Sequence, residues 1–305
     1  MRLLNASGCL DALTAPEVAG TLEAYVTKTV TPLPREGNAP VRIAETDVGM
    51  LNAIGLANPG VDAFLVDHLP RLAALGVPLW VSVGGFAIED YVHVAERLEG
   101  RDEIETLELN LSCPNVDEVP ENVGEVVAAV RAITGKPVYA KLSAAVADLG
   151  ATARAAEAAG ADGLSLVNTV RGLALDERTL RPLLARGAGG LSGPALRPVA
   201  LAAVHTCFRE TRLPIVGMGG VATGRHALEL LAAGATDLAV GTTLFADPGA
   251  VTRIRSELEA ELGAHGFAKP DNAIGAAHAP PEATLDPRSR VKAEKSLHTG
   301  AKLSG

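Results

Sequence analysis

The chain has 305 residues, is 48% hydrophobic but only 3% aromatic, and carries a formal net charge of −9. That charge argues against nucleic acid or an anionic membrane as a main partner, because both present negative phosphate. No run of 18 apolar residues occurs, so no membrane-spanning helix is expected, and Asn5 and Asp11 interrupt the N-terminal stretch too early for a secretory signal.

With so few aromatics the core must be Ala, Val, Leu and Ile, the composition of parallel strands buried on both faces. Cys9, Cys113 and Cys207 lie far apart and form no Cys-x-x-Cys pair. No metal site within the chain is expected, and a reducing cytoplasm fits.

Residues 3–7 (LLNAS) read as a first strand ending at Ser7-Gly8, and 25–29 (YVTKT) as a second carrying Lys28, with a brief helix over 16–23 between them. The segment 30–60 is rich in Pro, Gly and Asn, and a connection this long is uncommon unless it serves a function. A helical pattern over 61–75 closes at Gly76, and 79–83 (LWVSV) is a third strand ending in Gly84-Gly85. A helix over 88–98 follows.

In 107–111 (LELNL), Leu107, Leu109 and Leu111 alternate with Glu108 and Asn110, the period of a strand. It runs into Ser112, Cys113, Pro114 and Asn115. Pro114 cannot donate to a sheet and biases Cys113 away from helix.

The pattern then repeats. A helix over 121–134, with Val123, Val126, Val127, Val130 and Ile133 on one face, leads to strand 138–142 (VYAKL) with Lys141. An Ala-rich helix over 146–159 leads to strand 163–168 (GLSLVN). After an insertion over 170–192 and a helix over 194–209 comes strand 215–218, ending in Gly219-Gly220. A helix over 224–233, strand 238–240 ending in Gly241-Thr242, and a helix over 248–262 complete the series.

Eight βα units in roughly 250 residues predict an α/β fold, a TIM (β/α)8 barrel with a long substrate-binding loop after the second strand. The echo between 157–169 and 231–243, each helix, Gly, strand and polar end, agrees with repeated units. A doubly wound sheet would call for a GxGxxG turn after the first strand, and none is present. The barrel is expected over 1–262. From 263 to 305 the apolar pattern stops, so an irregular, mobile or loosely docked tail without a core of its own is expected.

Right-handed crossovers put all strand C-termini on one face. Ser7, Lys28, Ser82, Asn110 with Cys113, Lys141, Asn168 with Thr169, Gly219-Gly220 and Gly241-Thr242 should meet there. The two glycine-bearing ends suit a phosphate, and the amides and lysines a polar planar substrate. No carboxylate dominates the set, which disfavours glycoside hydrolysis, and no His cluster suggests a metal hydrolase. Cys9 and Cys207 read as small, inert hydrophobes; Asn52 would by itself be a turn residue.

The segments TKTVTPLPREGNAP, GMLNAIGLANPG, NLSCPNV, KLS, VNT, GGLSGPA, GMGGV and AVGTT, spread from about Leu3 to Asp247, resemble class 1 dihydroorotate dehydrogenases. The loop wording and GGLSGPALRPVAL are most similar to subclass 1B, the NAD-linked catalytic subunit. The resemblance implies oxidation of dihydroorotate to orotate in pyrimidine synthesis, with Cys113 taking the C5 proton and hydride passing from C6 to N5 of FMN. It implies substrate contacts from Lys28, Asn52, Ala53, Ile54, Gly55, Leu56, Asn110, Asn115, Asn168 and Thr169. FMN contacts would come from Ser7, Lys28, Thr29, Asn110, Lys141, Val167 and Gly193, with Gly219, Gly220, Gly241 and Thr242 at the phosphate.

It also implies a homodimer joined to a partner subunit carrying FAD and a [2Fe–2S] cluster, a heterotetramer that passes electrons to NAD. Where the family usually has a Pro-Asn pair, this chain has Ala144-Ala145 after Ser143. A dihydropyrimidine dehydrogenase, a fumarate-linked class 1A enzyme and a non-catalytic FMN-binding barrel remain as alternatives.

Overall fold

The computed structural model describes residues 1–111 and 122–279. The chain opens with β1 (Leu3–Asn5), the one-turn α1 (Pro16–Ala19) and β2 (Tyr25–Val26), shorter than the expected second strand. The 30–60 segment is not irregular throughout: it contains a hairpin, β3 (Ile43–Thr46) and β4 (Gly49–Asn52). The next helix is α2 (Val61–Ala63), a π-turn over Phe64–His68, and α3 (Leu69–Ala73). β5 (Leu79–Val83) and α4 (Ile88–Glu99) follow. Asp90 accepts hydrogen bonds from the Phe86 and Ala87 N–H groups at the start of α4, and the helix buries Tyr91, Val94, Ala95 and Leu98 along one stripe.

β6 (Ile104–Asn110), α5 (Val123–Arg131), β7 (Val138–Leu142) and α6 (Leu149–Ala158) repeat the unit. Asn122 and Asp148 cap α5 and α6 through the Glu125 and Ala151 N–H groups. β8 (Gly163–Leu166), β9 (Val170–Gly172) and β10 (Gly189–Ser192) precede a 3-10 turn and α7 (Arg197–Glu210). β11 (Ile215–Met218), α8 (Gly224–Ala233), β12 (Asp237–Val240), the short α9 (Thr243–Ala246) and α10 (Ala250–Ala264) complete the barrel.

Among the described residues, eight parallel strands run in the order β1-β12-β11-β8-β7-β6-β5-β2. The ring closes where Leu4 bridges Ala24. The side chain of Asn5 completes that seam. Its amide accepts from Val26 N–H and donates to Val26 C=O, both at 2.8 Å, satisfying a backbone that lacks a full neighbouring strand.

Strand alternation divides the core in two. Residues such as Leu107, Leu109, Val138, Ala140 and Leu164 face the helices and form the large outer core. Each buried Leu or Val there contributes about 1.5–3 kcal/mol, so this layer dominates stability. The opposite parity fills the barrel with Leu4, Val26, Trp80, Tyr139, Val216, Met218 and Ala239. Trp80 and Tyr139 pack at 4.6 Å between ring centroids, and Arg2 lies over Trp80. The barrel is thus plugged, and the groups nearer the strand C-termini turn polar.

Two features add to what the sequence pattern shows. The 170–192 insertion does not stand alone: β9 and β10 join the early hairpin in a second, antiparallel sheet ordered β3-β4-β10-β9, with Leu191 opposite Leu51. Leu51, Ala53 and Leu184 form its own small core. The chain after 263 is also docked as far as it is described. Ala273 is fully buried, Phe267 and Ile274 pack against the outer core, and Gly275 N–H donates to Leu231 C=O. His278 stacks on His205 at 4.0 Å. Residues 280–305 lie outside the described residues.

Candidate active site

Most of the polar residues expected at the strand C-termini converge on one cavity of about 1220 Å³, its open mouth included, while the fully buried Ser82 does not line it. Lys28 and Thr29 lie just past β2, Asn110 ends β6 and Lys141 lies on the neighbouring β7. Asn52, Ile54, Gly55 and Leu56 arrive on the chain leaving β4. Val167, Asn168 and Thr169 follow β8, and Ser7 follows β1. Gly193, Gly219, Gly220, Gly241 and Thr242 form the remaining wall.

Ala53 is an exception. Its neighbours Asn52 and Ile54 line the cavity, so alternation turns the Ala53 side chain to the back of the small sheet, against Leu51 and Leu184. Cys113 and Asn115 lie outside the described residues, which stop at Leu111, one residue after the cavity-lining Asn110.

A chain of hydrogen bonds fixes the amides. The Thr29 hydroxyl is 3.0 Å from the Ser82 hydroxyl and accepts from Asn110 Nδ2 at 3.2 Å. Asn110 Oδ1 accepts from Asn168 Nδ2 at 3.0 Å, and Asn168 Oδ1 accepts from the Thr169 N–H at 2.9 Å. The relay crosses from β5 to the end of β8 and defines which edge of each amide is donor and which acceptor. An amide oxygen accepts twice and its nitrogen donates twice, the bonding range a polar planar ligand needs. Tyr91 steadies this strand end, its hydroxyl donating to Asn110 C=O at 2.8 Å.

The lysines sit deep. Lys141 is buried, and its Nζ is 3.3 Å from Glu108 Oε1. Lys28 packs over Gly8, where a Cβ would lie 2.9 Å from its Cδ and 3.2 Å from its Nζ. Gly8 also adopts φ +75°, so glycine both permits the turn and leaves room for the lysine. Burial pushes the Cys9 thiol up, and the charges of Lys141 and Lys28 oppose that shift only in part.

The glycine wall has the form of an anion cradle. Gly220 adopts φ +72°, and a Cβ there would come within 2.8 Å of Arg197 Cβ and 2.9 Å of Gly193 C=O. Thr242 Oγ1 donates to Ser192 Oγ at 2.8 Å, and Thr243 Oγ1 to Val221 C=O at 2.8 Å, tying the start of α9 to the end of β11. His226 Nδ1 accepts from Ala222 N–H at 3.3 Å. Burial, aided by the charge of Arg197, lowers the His226 pKa, so the ring is neutral and able to accept at ordinary pH. Loops after the last two strands, with a short extra helix, are the usual phosphate site of a (β/α)8 barrel.

Several contributors were not anticipated. Cys9, read as inert filler, lines the cavity. Ile43 and Met50 reach it from the unforeseen hairpin. Glu108 lies beneath it; the signal was present, because Glu108 shares its strand face with Asn110.

Residues 2–262 match the family model described as dihydroorotate dehydrogenase. The chain belongs to the dihydroorotate dehydrogenase family. It is 47% identical over 269 residues to the catalytic subunit of dihydroorotate dehydrogenase B (NAD(+)) of Desulforudis audaxviator, covering 86% of this chain and 87% of the relative. It is 45% identical to the corresponding subunit of Anoxybacillus flavithermus, covering 81% of each chain. The crystal structure of Eimeria tenella DHODH with ferulenol superposes with a TM-score of 0.78 at 23% identity, over 91% of this chain and 85% of that one. That likeness supports the barrel fold. Among the described residues no helix is long and apolar enough to cross a membrane, and no group of three or more His, Cys, Asp or Glu is placed to hold a metal ion.

Proposed function

We propose that this chain is the catalytic subunit of an NAD-linked, FMN-dependent dihydroorotate dehydrogenase, oxidising (S)-dihydroorotate to orotate for pyrimidine (UMP) synthesis. One observation carries the reading. In a member of this family, Lys28, Asn52, Asn110, Lys141 and Asn168 meet a glycine cradle in a single cavity.

The residues fit FMN: Gly219, Gly220, Gly241 and Thr242 would hold its phosphate, and Ser7, Lys28, Thr29, Asn110, Lys141, Val167 and Gly193 its ring system and chain. Bound there, it would supply the hydride acceptor. The protein's own groups would do the rest. Asn52, Asn110, Asn168 and Thr169, with Asn115, offer donors and acceptors matched to a cyclic ureide, so analogues lacking those edges forfeit these hydrogen bonds. Ile54 and Leu56 exclude water from the reacting face. Cys113 accepts the C5 proton. A thiol's ordinary pKa of about 8.5 is close enough to neutrality for this, and lysine charge favours thiolate.

We also propose a homodimer, supported by exposed Val41, Ile43, Leu173 and Leu175 on or beside the second sheet. The relatives' designation as an NAD(+) enzyme's catalytic subunit supports an electron-transfer partner, which would carry FAD and [2Fe–2S] and complete a heterotetramer. A reducing cytoplasm suits a chain with free Cys9 and Cys207 and a thiol base.

The test is steady-state turnover of dihydroorotate against dihydrouracil, with NAD⁺, fumarate and a quinone as parallel acceptors, for the lone chain and for any co-purifying complex. Dihydroorotate should be preferred, and NAD⁺ should be reduced only by the complex. Preference for dihydrouracil, or fumarate reduction by the lone chain, would overturn the assignment.

A further inference from the structure

Under the cavity, on the inward face of two neighbouring strands, Glu108 and Lys141 form an ion pair whose side chains are 1% and 7% exposed. Lys141 lines the cavity; Glu108 does not. Taking two charges out of water costs several kcal/mol per ion, and a well-packed apolar pair would hold the barrel at least as well. The adjoining interior layer is built that way, from Trp80, Tyr139 and Val216. The pair therefore has no evident purpose in folding. A second polar group shares the location: Ser165, in register with Lys141 on β8, has a buried Oγ with no hydrogen-bond partner among the described residues. Glu108 and Ser165 thus flank the cavity-lining Lys141 on the two neighbouring strands.

We propose that Glu108 is a positioning residue that acts through Lys141. It anchors the ammonium at the cavity floor and moderates the positive field this lysine projects upward. That field stabilises negative charge gained by a bound flavin on reduction, so Glu108 sets the flavin's reduction potential without touching it. The inference rests on the FMN reading above.

The test is the midpoint potential of bound flavin, measured against a reference dye, in wild type, Glu108→Gln, Lys141→Gln and the double variant. Glu108→Gln keeps the side-chain shape but removes the carboxylate charge that faces the lysine. Its reduction equilibrium should shift at least tenfold toward the reduced form, about 30 mV upward for a two-electron couple. Lys141→Gln should shift it the other way. In the Lys141→Gln background, adding Glu108→Gln should change the equilibrium by less than threefold, because the group through which it acts is gone.

The double variant leaves neither charge buried alone, so it should also melt at a higher temperature than Glu108→Gln, flavin-free. If Glu108→Gln fails to fold, the comparison of the double variant with Lys141→Gln decides: a shift of tenfold or more overturns the role of Lys141 as intermediary, and one below threefold supports it. A potential unchanged or lowered in flavin-loaded Glu108→Gln sinks the inference alone. A wild-type chain that takes up no flavin sinks the reading beneath it.

Discussion

Gly220→Ala separates the glycine cradle's role in folding from its role in binding. At φ +72° an alanine pays the left-handed penalty of about 1–2 kcal/mol. The new carbon would also stand 2.8 Å from Arg197 Cβ, 2.9 Å from Gly193 C=O and 3.1 Å from Arg197 N. Two of these are backbone atoms, so the loop itself must move. If that movement removes one N–H bond to a phosphate, the loss is about 1.5–3 kcal/mol, the range for hydrogen bonds to charged groups. Flavin affinity should then fall roughly ten- to a hundredfold, since 1.4 kcal/mol is tenfold. The melting temperature of the flavin-free protein should fall by roughly 2–6 °C. Gly76→Ala is the control: Gly76 has φ +69°, but a Cβ there meets nothing within 4 Å. It should cost similar strain and leave flavin affinity unchanged. Fluorescence titration of flavin-free protein with FMN, with thermal melts of all three proteins, reads both quantities. Unchanged FMN affinity in Gly220→Ala, or equal losses in both variants, would refute the cradle.

Cys113→Ala should retain flavin and lose most turnover, while Cys113→Ser should be slow at neutral pH and improve as pH rises; normal turnover by Cys113→Ala in a steady-state assay would remove the base assignment. Thr29→Val deprives Asn110 Nδ2 and Ser82 Oγ of a buried partner, so about 1–3 kcal/mol of stability should be lost and KM for dihydroorotate should rise, as thermal melts and initial rates would show. Glu99 is held below its ordinary value of 4.5 by hydrogen bonds from the Thr134 hydroxyl and the Gly135 N–H. A depressed carboxylate stabilises the fold above its unfolded pKa and loses that contribution as pH falls through the folded one. Glu99→Gln should therefore melt below wild type at pH 7, and the gap should close on acidification below pH 4.5; a gap that is constant or widens would contradict the linkage.

The barrel was legible because each unit repeats the same local signals: a short apolar strand, a polar end, and a helix with one buried face. β6 shows why the site was legible too. Leu107 and Leu109 specify which face meets the helices, and that parity sends Asn110 to the mouth and Glu108 beneath it. The second sheet was hidden because its strands pair across more than a hundred residues, Leu51 with Leu191, and no local period reports such a pairing. The rich Pro and Gly content of 30–60 also masks the four-residue strands Ile43–Thr46 and Gly49–Asn52. The turn of the Ala53 side chain toward Leu51 and Leu184 was hidden for the same reason, because only the strand's pairing shows it. The docked segment to 279 is held by a few contacts, among them Ala273 and the His278–His205 stack, too sparse to make an apolar pattern.

The most direct test of the central claim is an anaerobic titration of the flavin-loaded chain, followed through the visible absorbance of the flavin. Dihydroorotate should bleach it stoichiometrically, dihydrouracil should leave it yellow, and orotate should appear in the bleached sample. A flavin that dihydroorotate leaves oxidised, or that dihydrouracil reduces instead, would contradict the account.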